Sequence, residues 1–169
     1  MHGDEIVSTT NAKVKIEDVF SSWHVGVAAE AIAAALFARI GLDVSVQYGA
    51  NQPEYDLMVS AGEKILKVSV KGSKDGGWGL TQSFLAKADY QGAIDRWLAK
   101  HRPKTVLCLV QFHAVAIDEL PRVYLATPNE VADRLRATAK GRGDTILYER
   151  KMWTARAVGA CSVEEIPAS

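Results

Sequence analysis

The chain has 169 residues, 48% hydrophobic and 24% charged, enough to bury a substantial core and few enough to form one domain. Twenty basic residues balance twenty acidic ones, which excludes a molecule-wide positive field that would draw nucleic acid from a distance. Cys108 and Cys161 are too few for a disulfide scaffold or a thiolate zinc site, which points to a reducing, cytoplasmic compartment. The first twenty residues show no basic region followed by an apolar stretch, so no secretory signal is expected. The longest apolar run, 25–40, is interrupted by Glu30 and Arg39 and is shorter than the roughly 20 residues of a membrane span.

Ser21 and Ser22 can cap a first helix that carries Val25, Ala29, Ile32, Ala33, Leu36 and Ile40, with Gly41 as its stop. Three short strands are predicted next, at 43–48, 55–60 and 64–71; their brief connections suggest antiparallel neighbours. The glycine-rich stretch 72–83 reads as a loop. Asp89 or a neighbour then opens a helix with an apolar stripe of Tyr90, Ile94, Trp97 and Leu98, ending before Pro103. Residues 105–112 read as a strand buried on both faces, and 122–127 as another strand. Thr127, Pro128 and Glu130 form a capping-box sequence for a helix to about Lys140, and 145–149 is the expected last strand. The order predicts an α/β fold with a mixed sheet flanked by helices.

A period of two along the third strand puts Leu66, Val68 and Val70 on one face and Lys67, Ser69 and Lys71 on a mostly polar one. The preceding strand places Asp56 opposite Leu57 and Val59, so Asp56 and Lys71 can share a face about one strand spacing of 4.8 Å apart. Glu30 lies on the first helix among Val27, Ala34 and Phe37. A carboxylate so placed needs a lysine, a hydrogen-bond cluster or a cation, because burying it alone costs several kcal/mol. The simpler alternative is a helix–sheet ion pair without catalysis.

The pattern Gly26-x-x-x-Glu30, then Pro53-x-x-Asp56-Leu57, then Val68-Ser69-Val70-Lys71-Gly72 resembles the PD-(D/E)XK nuclease superfamily, which includes restriction endonucleases and Holliday-junction resolvases. The resemblance implies a restriction endonuclease-like αβββαβ core over about 20–126, with a C-terminal strand-helix-strand extension over about 127–169, in a single domain. It also implies Glu30, Asp56 and Lys71 as catalytic residues and Asp56, Glu30 and Ser69 around Mg²⁺, with Mn²⁺ as a substitute. Lys71 would then hold the attacking water. Ser69 departs from the pattern, standing where the family usually has an acidic residue or glutamine; Asp75, Asp89 or Asp95 are the substitutes weighed.

Lys67, Lys74 and the neighbourhood of Trp78, taken as an exposed edge, form a candidate phosphate-tracking surface, with an ordinary hairpin loop as the alternative. The segment lacks the G-x-x-x-x-G-K-[S/T] spacing, so no nucleotide cofactor is expected. Arg134, Arg136, Lys140 and Arg142 make a second basic cluster, which a solvated helix face explains equally well. His24, His101 and His113 lack metal-ligand spacing. The expected function is metal-dependent hydrolysis of DNA, possible as a homodimer where both strands are cut. The alternative is a catalytically inactive nuclease-like domain that binds nucleic acid or a protein partner.

Overall fold

The computed structural model describes residues 20–47 and 54–167, so Pro53 and Tyr48 of the sequence reading lie outside the described residues. Helix α1 spans Ser22–Arg39. Ser21 caps it: its Oγ accepts the His24 N–H at 3.4 Å, and His24 Nδ1 accepts the Ser21 N–H at 3.2 Å. The helix stops where Gly41 turns to φ +88°, a conformation a side chain would strain. Strands β1 (Asp43–Val46), β2 (Leu57–Ala61) and β3 (Lys64–Ser73) follow as an antiparallel meander. Helix α2 (Tyr90–Leu98), capped by the Asp89 carboxylate accepting the Gly92 N–H at 2.9 Å, lies in the crossover to β5 (Thr105–Gln111). β5 pairs in parallel with β3, and β6 (Arg122–Ala126) closes a five-stranded mixed sheet of order β1-β2-β3-β5-β6. The fold is thus mixed α/β.

Helix α1 lays Val25, Ala29 and Ala33, one per turn, on a sheet face made by Leu57, Val59, Val68, Val70, Cys108 and Val110. Small alanines let the helix axis come close. Gly72 on β3 extends that approach, because a Cβ there would stand 2.7 Å from Val25 Cγ1 and 2.8 Å from the Val25 carbonyl oxygen. The opposite face carries Leu107 and Leu109 against Trp78, Ile94 and Trp97, together with Val131, Ala132 and Leu135 of helix α3 (Pro128–Ala137) and Leu147 of β7 (Ile146–Tyr148). Covering on both faces explains the unbroken apolar run of β5.

Several expectations change. The second face of β3 is covered, so Ser69 is buried at 2% exposure where a half-exposed polar face was expected. The glycine-rich stretch is not all loop: β4 (Gly77–Gly79) pairs antiparallel with β7, and a 3-10 turn forms at Gln82–Phe84. Helix α3 has the predicted Thr127–Glu130 capping box but stops at Ala137, short of Lys140, as Ala139 and Lys140 turn to positive φ. Gln91 Nε2 lies within hydrogen-bonding distance of the Arg136, Gly141 and Arg142 carbonyls and fixes that end. The strand at 146–148 is not the last. β8 (Arg150–Trp153), the short helix α4 (Ala155–Val158) and β9 (Ser162–Glu165) follow, the two strands forming a hairpin tied to α3 through Arg134 to the Glu165 carbonyl at 2.6 Å. Among the described residues no helix is long and apolar enough to cross a membrane.

Candidate functional site

Asp56 sits one residue before β2, at the point where the β2–β3 ladder ends. Its backbone is held from both sides: the Gln47 N–H donates to its carbonyl at 2.9 Å, and its own N–H donates to the Val68 carbonyl at 2.8 Å. Its carboxylate Oδ2 accepts the Val70 N–H at 2.6 Å, replacing the partner that a continuing strand would have supplied. A bond this short to a charged acceptor fixes the side chain in one direction. Only 20% of that side chain is exposed.

Lys71 follows on β3, with Nζ 3.9 Å from Asp56 Oδ2 and the side chain 43% exposed. Its main chain is buttressed from below, as Trp78 Nε1 donates to the Lys71 carbonyl at 3.0 Å. The third member comes from α1. Glu30 is half-buried, and its carboxyl is pushed above the usual range by burial first and by the negative charge of Asp56 second, with Lys71 pulling the other way. The helix therefore delivers Glu30 into the field of the other two groups. Lys71 and Asp56 lie side by side, and Glu30 on α1 is near enough for its carboxyl to feel both charges.

That donor set fits a hard divalent cation. Two carboxylates held together repel each other, which is the cause of part of the Glu30 shift, and a cation between them relieves the repulsion. Among the described residues no group of three or more histidine, cysteine, aspartate or glutamate side chains is arranged to hold a metal. A cation held by two carboxylates alone would keep water in its remaining positions. Ser69 shares the Lys71 face of β3, but is buried.

Each of the other aspartates named for a third acid already has a partner on one oxygen or more. Asp75 accepts from Ser73 Oγ at 3.0 Å, Asp89 caps α2 and lies 3.5 Å from Arg96, and Asp95 pairs with Arg136 at 2.8 Å.

The basic residues divide. Lys74 is exposed and donates to the Phe20 carbonyl, pinning the N-terminal end of α1 to the end of β3. Lys67 places its ammonium 4.7 Å from the Tyr55 ring centroid. Trp78 does not lie on an exposed edge: it is 2% exposed and packs in the core, so it offers no contact surface. Its indole N–H finds main-chain acceptors inside, which lets the ring be buried at no polar cost. In the second basic cluster Arg136 is paired with Asp95 and Asp133, and Arg142 stacks over Tyr90 and Trp153, so these side chains hold the C-terminal region together.

Three contributors to the site escaped the sequence reading as such. Gly72 admits α1, Trp78 supports the strand at Lys71, and His24 completes the cap of the helix that carries Glu30. Only Gly72 left a local signal, since glycine inside an apolar strand marks a close backbone approach. Compared with known families and with curated proteins, the chain matches no family model and no curated sequence.

Proposed function

We propose that this chain is a cytoplasmic, divalent-metal-dependent phosphodiesterase that cleaves DNA, with a restriction endonuclease-like core and a PD-(D/E)XK-type site made of Glu30, Asp56 and Lys71. The observation that carries the reading is the Asp56–Lys71 pair, with Asp56 clamped by the Val70 N–H at 2.6 Å and Lys71 3.9 Å away, together with a Glu30 carboxyl on α1 that responds to both charges. The order of elements supports it as well: a helix, three antiparallel strands, a crossover helix and a strand parallel to the third.

Asp56 and Glu30 would hold Mg²⁺ or Mn²⁺, which supplies Lewis acidity at the scissile phosphate. Asp56 uses Oδ2 for its contacts with Val70 and Lys71, leaving Oδ1 for a cation. Lys71 is exposed enough to meet a phosphate oxygen or the attacking water, and its ammonium stabilises the negative charge that grows as the water adds. Cutting both strands of a duplex would take two such sites, hence a homodimer.

The test is incubation of the purified chain with supercoiled, linear and branched DNA in Mg²⁺, Mn²⁺ or EDTA. Cleavage in metal, none in EDTA, and loss of cleavage in Lys71→Met is the expected result. A second reading, a nuclease-like domain that binds nucleic acid or protein without cutting, is favoured by one observation: a buried Ser69 stands where a third acid would. Binding without cutting in every metal would establish that reading over the first.

A further inference from the structure

Four tryptophans stand in the chain, and three are put away: Trp78, Trp97 and Trp153 are at most 8% exposed. Trp23 is 69% exposed, on the first turn of α1. An indole this exposed at a helix end adds little to the core, and among the described residues its large apolar face is open to a partner.

Its position is set by helix geometry. Glu30 follows seven residues later, so at 100° per residue the two side chains leave α1 within about 20° of the same direction and about 10.5 Å apart along the axis. Trp23 therefore shares the helix face that presents Glu30 to Asp56 and Lys71. The first turn of α1 has no acidic residue, and exposed Lys74 anchors on the Phe20 carbonyl beside it with donors to spare. The His24 ring meets the indole edge-on at a centroid distance of 5.0 Å and limits its swing.

We propose that Trp23 is a stacking platform for an unpaired base of the nucleic-acid substrate, with Lys74 on the adjoining phosphate. The substrate class is DNA with single-stranded character beside the cut: an overhang, gap, flap or branch. The proposal rests on the nuclease reading of the Glu30, Asp56 and Lys71 site and names what that site cuts. A base inside an intact duplex has its faces covered by its neighbours and cannot lie on an indole, whereas an unpaired base can. The axial offset corresponds to about three stacked base steps at 3.4 Å each, fewer for an extended strand, so the stacked base lies close to the scissile phosphate.

The intrinsic fluorescence of Trp23 supplies the test, isolated as the difference between the wild-type chain and Trp23→Phe. The chain is titrated in Ca²⁺ with a blunt hairpin duplex and with the same hairpin carrying a single-stranded overhang, while the anisotropy of a dye on the DNA reports binding independently. Quenching of the Trp23 emission by the overhang DNA is expected. Trp23→Ala should weaken overhang binding about tenfold, a larger factor than for the blunt hairpin, and Trp23→Phe should recover part of it. Overhang DNA that binds without changing the Trp23 emission, or that binds Trp23→Ala as tightly as wild type, overturns the proposal. In that case metal-dependent cleavage abolished by Lys71→Met would leave the nuclease reading standing. Failure to bind or cut any DNA would overturn both.

Discussion

Replacing Gly72 by alanine tests whether the close approach of α1 builds the site. The new Cβ would lie 2.7 Å from Val25 Cγ1, 2.8 Å from the Val25 carbonyl oxygen and 3.0 Å from Ala29 Cβ, against the 3.4 Å where ordinary contact begins. Rotation of the Val25 side chain can relieve the first clash. The second is with main chain, so the helix itself must back away by about 0.6 Å or β3 must bend. Overpacking of this kind costs about 1–3 kcal/mol. For a chain of this size that is a fall in Tm of roughly 2–12 °C. Because α1 carries Glu30, the same movement shifts Glu30 relative to Asp56 and Lys71, and misplacement on the order of 1 Å can cost about a hundredfold in rate. Thermal or urea denaturation gives the first quantity and metal-dependent plasmid cleavage the second. A Gly72→Ala chain with wild-type stability and wild-type cleavage would refute both the packing argument and the role of α1 in placing Glu30.

Lys71→Met should abolish cleavage while changing stability by less than about 1 kcal/mol, because the Lys71–Asp56 pair is long and partly exposed; a urea melt alongside the cleavage assay checks both. Glu30→Gln should also lose cleavage, yet hold or raise the unfolding midpoint at pH 7. The folded state binds the Glu30 proton more tightly than the unfolded chain does, so ionised Glu30 costs stability as pH rises from its ordinary value near 4.5 through the raised one, and glutamine removes that cost. Glu149 has the opposite sign: the Arg122 hydrogen bonds chiefly, aided by the Tyr124 hydroxyl, hold its carboxyl below the usual range, so its contribution is complete above pH 4.5 and is lost as pH falls through the lowered value. Glu149→Gln should therefore flatten part of the acid limb of a stability–pH curve, and an unchanged limb would contradict the assignment. Cys108 is buried, with its thiol pushed up to about 12, while Cys161 is exposed, so a thiol reagent at pH 8 should count one cysteine in the native chain and two in denaturant.

What the sequence determined by itself was local. The ends of α1 and the start of α3 were legible because Ser21, Gly41 and the Thr127–Glu130 box act on backbone groups within a turn of themselves. The alternation that puts Leu57, Val59, Val68 and Val70 on one face was legible because the strand period is a property of the chain alone. Those two rules put Glu30 on the first helix and Lys71 on the third strand, whereas Asp56, expected inside the second strand, lies one residue before it. Tertiary structure decided everything that depends on a distant partner. Trp78 lies in a glycine-rich stretch that reads as exposed loop, but pairing with β7 and acceptors at Lys71 and Val110 draw it inside. Ser69 is buried beside Leu107 of β5, whose face packs under α2 and α3, which no alternation within β3 can disclose. Asp95 and Arg136 are committed to an ion pair made across the chain, so their availability to the site was not written in their spacing. Capping and strand period are set by neighbours a few bonds away, whereas burial and pairing are set by which remote segment fills the adjoining space.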